Sequence, residues 1–252
     1  MKKNWFLFVF IWLTACVPVM TPEPLPSLTP TFTPYPSATI EWFPPSPTPE
    51  QIPTSAITPT KSLTSEIGEL IFKDNFTSPG NWTLPQTDRG QINITNGEIN
   101  IVIREPKSVL VGTLEKPDVR DFYAEINANP VLCAGRDEYG LLFHVIGRDQ
   151  YYRFSLSCEG EIRLEKVVGG AVYSLQPWTR SASVPVGAPS KSKLEVFMLG
   201  DEIRVFINGD PQFIVFDQEL GLGSFGVYAR SAGENAVTIS FSELIVREVI
   251  PK

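Results

Sequence analysis

From about residue 66 to residue 249 the chain alternates apolar and polar positions in short runs broken by turn residues. No stretch there keeps an i, i+3, i+4, i+7 apolar stripe over three helical turns, so the pattern predicts strands and not helices. Gln91–Ile94, then Asn96-Gly97, then Glu98–Ile103 reads as a hairpin, because Asn-Gly suits a type I′ turn. Glu202–Ile207, Asn208-Gly209 and Gln212–Phe216 read as a second. Between them Tyr139–Ile146, Gln150–Ser157 and Glu161–Val168 are separated by the turns Gly147-Arg148-Asp149 and Glu159-Gly160. Roughly a dozen short strands exceed what one open sheet with an exposed face accommodates, whereas two packed sheets bury both inner faces. The predicted fold is all-β: a two-sheet antiparallel β-sandwich of jelly-roll type.

The text changes before residue 66. Of the 23 prolines, 13 fall between Val17 and Thr60, in Thr-Pro and Ser-Pro units that cannot build a core. Residues 16–65 are therefore expected to be a disordered spacer, with a reach of about 40 Å as a coil and about 150 Å fully extended. Ahead of it, Lys2-Lys3 precedes the apolar run Trp5–Leu13. About nine residues rising about 1.5 Å each fall short of a hydrocarbon core of roughly 30 Å, which fits a secretory signal over residues 1–15 and not a membrane span. The run ends in Leu13-Thr14-Ala15-Cys16, which resembles the lipobox of bacterial lipoproteins. That resemblance implies cleavage before Cys16 and acylation of its thiol. It implies a bilayer as a partner and an outward-facing place in the cell envelope. Two or more acyl chains would hold the protein firmly where one would not. Val17 stands where an aspartate marks inner-membrane retention in some bacteria, so the membrane concerned is left open.

Charge narrows the function classes. The formal net charge is −7 and becomes −9 once Lys2 and Lys3 leave with the leader, so no basic surplus exists to neutralise phosphates and no nucleic-acid partner is expected. One histidine and three cysteines give no His/Cys metal site, and no cofactor is expected. Loop carboxylates Asp137, Glu138 and Asp149 are the candidates for a structural calcium, without a close-spaced aspartate loop to support them.

Phe72-Lys73-Asp74-Asn75-Phe76 with Trp82, Tyr139–Phe143 with Tyr151–Phe154, Ile203–Gly209, Gly226-Val227-Tyr228 and Phe241–Leu244 together resemble concanavalin A-like (laminin G-like) sandwiches. Bacterial domains similar to the 3-keto-disaccharide hydrolase family are among these. The resemblance spans residues 66–252 but rests on packing residues and turns. It implies the sandwich fold, and the closing Phe241-Ser242-Glu243-Leu244 departs from the family's acidic-Asn ending.

With Cys16 lipidated, Cys133 and Cys158 remain, and an even pair in an exported domain predicts a disulfide, the alternative being two separate buried thiols. Alternation places Leu141, Phe143, Val145, Tyr152, Phe154, Leu156, Ile162 and Leu164 on the core face. The opposite face would carry His144, Tyr151, Arg153, Arg163 and Glu165, joined by Arg204, Phe206, Tyr228 and Arg230 from later strands. Aromatic rings stack on the apolar faces of sugars and charged forks bond their hydroxyls, so this face is the predicted ligand surface; a solvated face of cross-strand Arg–Glu pairs is the plainer alternative. Glu161 and Glu165 lie about 13 Å apart along an extended strand. Paired glycosidase carboxylates stand about 5.5 Å or about 6.5–9.5 Å apart, which excludes them as such a pair. His144 is the one candidate general base. Gly221–Gly226 lacks the bracketing of a nucleophile elbow and reads as a tight turn into a strand. Three functions are then open: non-catalytic binding of a glycan by a membrane-anchored surface lipoprotein, hydrolysis of a 3-keto-disaccharide, and a structural or protein-interaction role in the envelope.

Overall fold

The structure, a computed structural model, describes residues 66–217 and 220–251. The leader, Cys16 and the spacer lie outside the described residues. Alternation is realised as sixteen strands: β1 (Ile67–Asp74), β2 (Trp82–Thr83), β3 (Gln86–Thr87), β4 (Gly90–Thr95), β5 (Glu98–Ile103), β6 (Val109–Leu114), β7 (Phe122–Leu132) and β8 (Glu138–Val145), then β9 (Tyr151–Ser157), β10 (Glu161–Val168), β11 (Ala171–Arg180), β12 (Ser192–Leu199), β13 (Glu202–Ile207), β14 (Asp210–Phe216), β15 (Ser224–Arg230) and β16 (Val237–Val249). The four beyond the expected dozen include β2 and β3, two residues each and too short to show a period.

Pairing is antiparallel throughout and sorts the strands into two sheets. One has nine strands in the order β14-β13-β12-β7-β16-β5-β4-β3, with β1 beside the second half of β16; the other has seven, β11-β10-β9-β8-β15-β6-β2. The fold is the expected two-sheet sandwich. Asn96 and Gly97 have φ of 57° and 76°, Asn208 and Gly209 have 55° and 84°, and in both hairpins the residues flanking the pair face one another. This is the type I′ geometry that Asn-Gly predicts, since both central residues must tolerate positive φ.

The core lies between the sheets. Ile99, Ile101, Ile126, Val196 and Phe241 of the larger sheet meet Leu141, Phe143, Phe154, Leu164 and Phe225 of the smaller, all fully buried. Each such side chain contributes about 1.5–3 kcal/mol by leaving water. The opening motif closes one corner. The Asp74 carboxylate accepts the Phe76 backbone N–H at 2.7 Å and the Trp82 indole N–H at 2.9 Å, and the two rings meet edge to face. That contact explains why an aspartate sits between two aromatic anchors here.

Cys133, just past β7, and Cys158, just past β9, form the expected disulfide, with Cα atoms 6.1 Å apart. Because β7 and β9 belong to different sheets, the bond staples one layer to the other. The Cys133→Ala/Cys158→Ala variant is expected to lose about 3 kcal/mol of stability, as closure of a loop of this length implies. Urea unfolding of both proteins, with wild type repeated under reducing conditions, measures this; reduction should move only the wild type.

Candidate functional site

The outer face of the seven-stranded sheet is where chemistry-bearing side chains meet. Register aligns a row across all seven strands: Ser174, Glu165, Arg153, Leu142, Gly226, Thr113 and Thr83. The half toward β10 is charged and the half toward β2 is apolar or neutral.

The charged half is a closed network. Arg153 donates to Glu165 Oε2 at 2.5 Å, and Arg163 reaches Glu165 Oε1 at 2.9 Å and Glu138 Oε2 at 2.6 Å. Arg230 reaches Glu138 Oε1 at 3.0 Å. The Tyr228 hydroxyl donates to the Ser155 hydroxyl and lies 3.4 Å from Glu138, while its buried ring lies beneath the Arg153 guanidinium. Burial and the neighbouring Glu138 raise the Tyr228 pKa, so its hydroxyl stays protonated. Arg163 stacks on Trp178, 4.4 Å from the ring centroid. Tyr151, Arg153, Arg163, Glu165, Tyr228 and Arg230 are thus brought to one face as the sequence predicts. Arg153, Arg163 and Glu165 pair with one another there, with Arg163 Nε left without a hydrogen-bond partner among the described residues, and the Tyr228 ring is covered.

Two parts of the predicted face belong elsewhere. His144 is fully buried on the core side, its ring against Phe122, Phe143 and Tyr152. It is the extra residue of a β-bulge: Ser224 faces Val145, Phe225 faces Phe143, and His144 is unopposed with φ of 49°. One inserted residue reverses the parity of the positions after it, so Val145 turns outward, opposite to the strict alternation expected. The His144 Nε2–H donates to the Arg120 carbonyl at 2.8 Å, which leaves Nδ1 as the basic nitrogen, and that atom is buried away from solvent with no hydrogen-bond partner among the described residues. Arg204 and Phe206 lie on β13, hence on the other sheet. There Arg204 pairs with Glu66 and Glu202 over the Phe197 ring, on the far side of the sandwich from Arg153.

The Gly221–Gly226 run bends at Leu222 and leads into β15 as expected, and Gly221, Gly223 and Gly226 do so without positive φ. Gly223 instead lies flat against the bulge, where a Cβ would stand 2.6–2.9 Å from the backbone of His144 and Val145. Asp137, considered for calcium, accepts backbone N–H groups of Ala134 and Ala232, both at 2.9 Å, and Glu138 is taken by arginines. Among the described residues no group of three or more His, Cys, Asp or Glu side chains is placed to hold a metal ion.

The apolar half holds an open trough. One end, about 310 Å³, is lined by Thr83, Pro85, Val111, Thr113, Leu142, Gly147, Arg148 and Tyr151. The other, about 510 Å³, shares Thr83, Thr113, Gly147 and Arg148 and adds Glu115, Asp118, Val145, Leu222 and Ser224. These volumes fall in the range of small-ligand sites, and the lining has their usual pattern of an apolar floor with a few polar groups. Of the predicted residues only Tyr151 lines it. The others come from β2, β6, β8, the start of β15, the β8–β9 turn and neighbouring loops, and apart from the solvent-facing Arg148 they read as ordinary strand and loop residues in the sequence.

No protein-family model matches the chain, and no curated protein matches it by sequence. Solved structures do match by fold. A Bacillus subtilis protein of unknown function with a galectin-like fold is 13% identical, with a TM-score of 0.57, covering 74% of this chain and 99% of that one. The catalytic domain of an endo-1,3-β-glucanase (laminarinase) from Thermotoga petrophila is 12% identical, TM-score 0.53, over 74% of this chain and 100% of that one. The CBM2 module of the evolved Dit protein of Lactobacillus casei phage J-1 is 11% identical, TM-score 0.53, over 74% and 98%. The fold is thus the concanavalin-like, galectin-like jelly roll.

His144 makes stability depend on pH in a readable way, because it is the chain's single histidine. Burial pulls its pKa below the ordinary 6.5, against the Arg120 and Leu220 backbone and Asp121, which favour the charged ring. The folded value is the lower one, so the unfolded chain takes up the proton first. Stability is therefore lost as pH falls below 6.5 and stops falling through this group at the folded pKa. Denaturant unfolding at pH 7.5 and 5.5 is expected to show this loss in wild type and a shallower one in His144→Asn, a residue that tolerates positive φ.

Proposed function

We propose that the chain is an outward-facing envelope lipoprotein, anchored through acylated Cys16, whose sandwich binds a glycan without catalysis. The observation that carries the binding reading is the trough: an aromatic rim at Tyr151, a floor of Leu142 and Val111, threonine hydroxyls on the opposite wall and an exposed Arg148. Such a surface offers a sugar ring an apolar face to stack on and donors for its hydroxyls. The fold likeness to a laminarinase catalytic domain and to a CBM2 module supports a carbohydrate ligand. The anchor rests on Leu13-Thr14-Ala15-Cys16 behind a short apolar run.

The arrangement of acids favours binding over hydrolysis. Glu165 and Glu138 are each held by two arginines, and neither lines the trough. His144, the base a keto-disaccharide hydrolase reading would use, faces the core.

A glycan array probed with the full chain is expected to show retention of at least one polysaccharide class. Tyr151→Ala is expected to weaken it about tenfold or more, while Arg204→Ala, on the other sheet, leaves it unchanged. Retention unaffected by Tyr151→Ala would remove the trough as the site. For the anchor, Cys16→Ala is expected to move the protein from the membrane fraction to the soluble fraction of expressing cells, monitored by immunoblot and by loss of labelled fatty acid.

A further inference from the structure

One edge of the larger sheet is left open. β14 is the last strand of that sheet and pairs with β13 alone. Sheets guard such edges, because unpaired N–H and C=O groups accept a further strand. The other edges here are guarded. β2 and β3 span two residues each, β1 carries two register shifts, and β11 carries two register shifts and Pro177. β14 has Pro211 and a bulge in its first half only, between the pairs Phe206–Pro211 and Val205–Phe213. Its second half, Phe213-Ile214-Val215-Phe216, is β-branched or aromatic throughout, uncharged and in regular register. Phe213 and Val215 pack against the core, while Ile214 and Phe216 point outward, 51% and 68% exposed. No large apolar side chain among the described residues is more exposed than Phe216. Tyr173 of β11, half exposed, stands on the same side of the sandwich: it lies near Lys166, which pairs with Asp217 directly after β14. An open backbone edge and exposed apolar side chains thus coincide.

We propose that β14 is a self-association edge: two copies of this chain pair their β14 strands antiparallel about a two-fold axis at Val215, joining the two larger sheets into one. The inference is independent of the glycan-binding reading, since the trough lies on the other sheet. Three features fit a second copy. The bulge confines a regular ladder to Phe213 through Asp217, whose N–H still bonds the Asp201 carbonyl at 2.8 Å, and Val215 is the middle of that stretch. Directly opposite residues of an antiparallel pair share a face, so this axis sets Ile214 of each copy against Phe216 of the other, two aromatic–β-branched pairs on the outer face. Charge agrees. With a net charge of −7, two copies repel one another in general, yet here Asp217 falls opposite Phe213 and Asp210 lies beyond the paired residues, so no acid meets an acid. The contact is also isologous: each copy uses its open edge on the other, and association stops at two.

Sedimentation velocity of the full chain carrying Cys16→Ala, which keeps acyl chains from bringing copies together, tests this. A concentration-dependent monomer–dimer equilibrium is expected. Ile214→Lys/Phe216→Lys sets like charges opposite one another twice and is expected to weaken the dimer about tenfold or more, with the circular dichroism spectrum unchanged. Val131→Lys/Leu132→Lys, at exposed apolar positions at the far end of β7, should leave the dimer intact; an equal loss there would mean unspecific apolar association and would overturn the inference. Cysteine cross-linking on the same Cys16→Ala background reads the register, and serves as well if the lysine variant fails to fold. Ile214→Cys mixed with Phe216→Cys is expected to form an intermolecular disulfide on mild oxidation, and neither alone should do so as readily. Either variant cross-linking with itself as well as with the other overturns the two-fold pairing. A monomer at every concentration up to about 1 mM, or open-ended assemblies in place of dimers, overturns the proposal.

Discussion

Burying one face of each sheet against the other is the constraint that governs where every polar group in this sandwich can stand. A strand has two faces, and packing two sheets commits one face of every central strand to apolar side chains. Polar groups that do face inward must be satisfied locally. Tyr152 and Lys166 manage this through Asp217, whose carboxylate accepts from the Tyr152 hydroxyl at 2.5 Å and from Lys166 Nζ at 2.7 Å. His144 manages it in part: its Nε2–H bonds the Arg120 carbonyl, burial disfavours the charged ring, and Nδ1 has no hydrogen-bond partner among the described residues. Any chemistry offered to a ligand is thereby confined to the two outer faces and their rims.

On the outer face of the smaller sheet, charge is used in two distinct ways. The arginines and glutamates of β8, β9 and β10 lie over the middle of the sheet and neutralise one another. Removing one partner would strand a half-buried charge, so their role is to hold strands in register, where cross-strand pairs of opposite charge act. Arg148, Glu115 and Asp118 sit at the rim instead, exposed and without side-chain partners among the described residues. Sequence composition cannot separate these two populations, because the residue types are the same. What separates them is whether a partner stands directly across the next strand.

That distinction also marks how far the sequence could be read. The hairpins were legible because Asn96-Gly97 and Asn208-Gly209 each specify a turn by themselves, within a few residues. The disulfide was legible from the even pair of cysteines left once the lipobox resemblance sets Cys16 apart. Alternation correctly set the inward Phe143, Tyr152, Phe154 and Leu164, since these strands keep period two up to the bulge. It failed at His144, where the phase slips by one residue and no Gly or Pro announces the slip. It failed differently for Arg204 and Phe206. Alternation tells on which face of its own strand a residue lies, but not to which sheet the strand belongs, and that choice is made by pairings between residues far apart in the chain. The trough was illegible for the same reason, being assembled from Thr83, Val111, Thr113 and the turn at Arg148, all of them ordinary surface residues until β2, β6 and β8 are brought together.

The bulge and the trough are nonetheless one feature. Had β8 continued in strict alternation, Val145 would point into the core and His144 into solvent, and the trough would lose an apolar wall. The extra residue turns His144 in and Val145 out, and it does so only because His144 accepts φ of 49°. Such a conformation costs free energy in a non-glycine residue and persists where the surroundings enforce it. Here the enforcement comes from two sides: Phe122 and Tyr152 against the ring, and Gly223, with no Cβ, against the backbone. Gly223 in turn is fixed by its two backbone hydrogen bonds with Val119. The geometry at the mouth of the trough is thus set from inside the sandwich. Substitutions at Gly223 or His144 would act on the trough without lining it, through the phase of β8 between them.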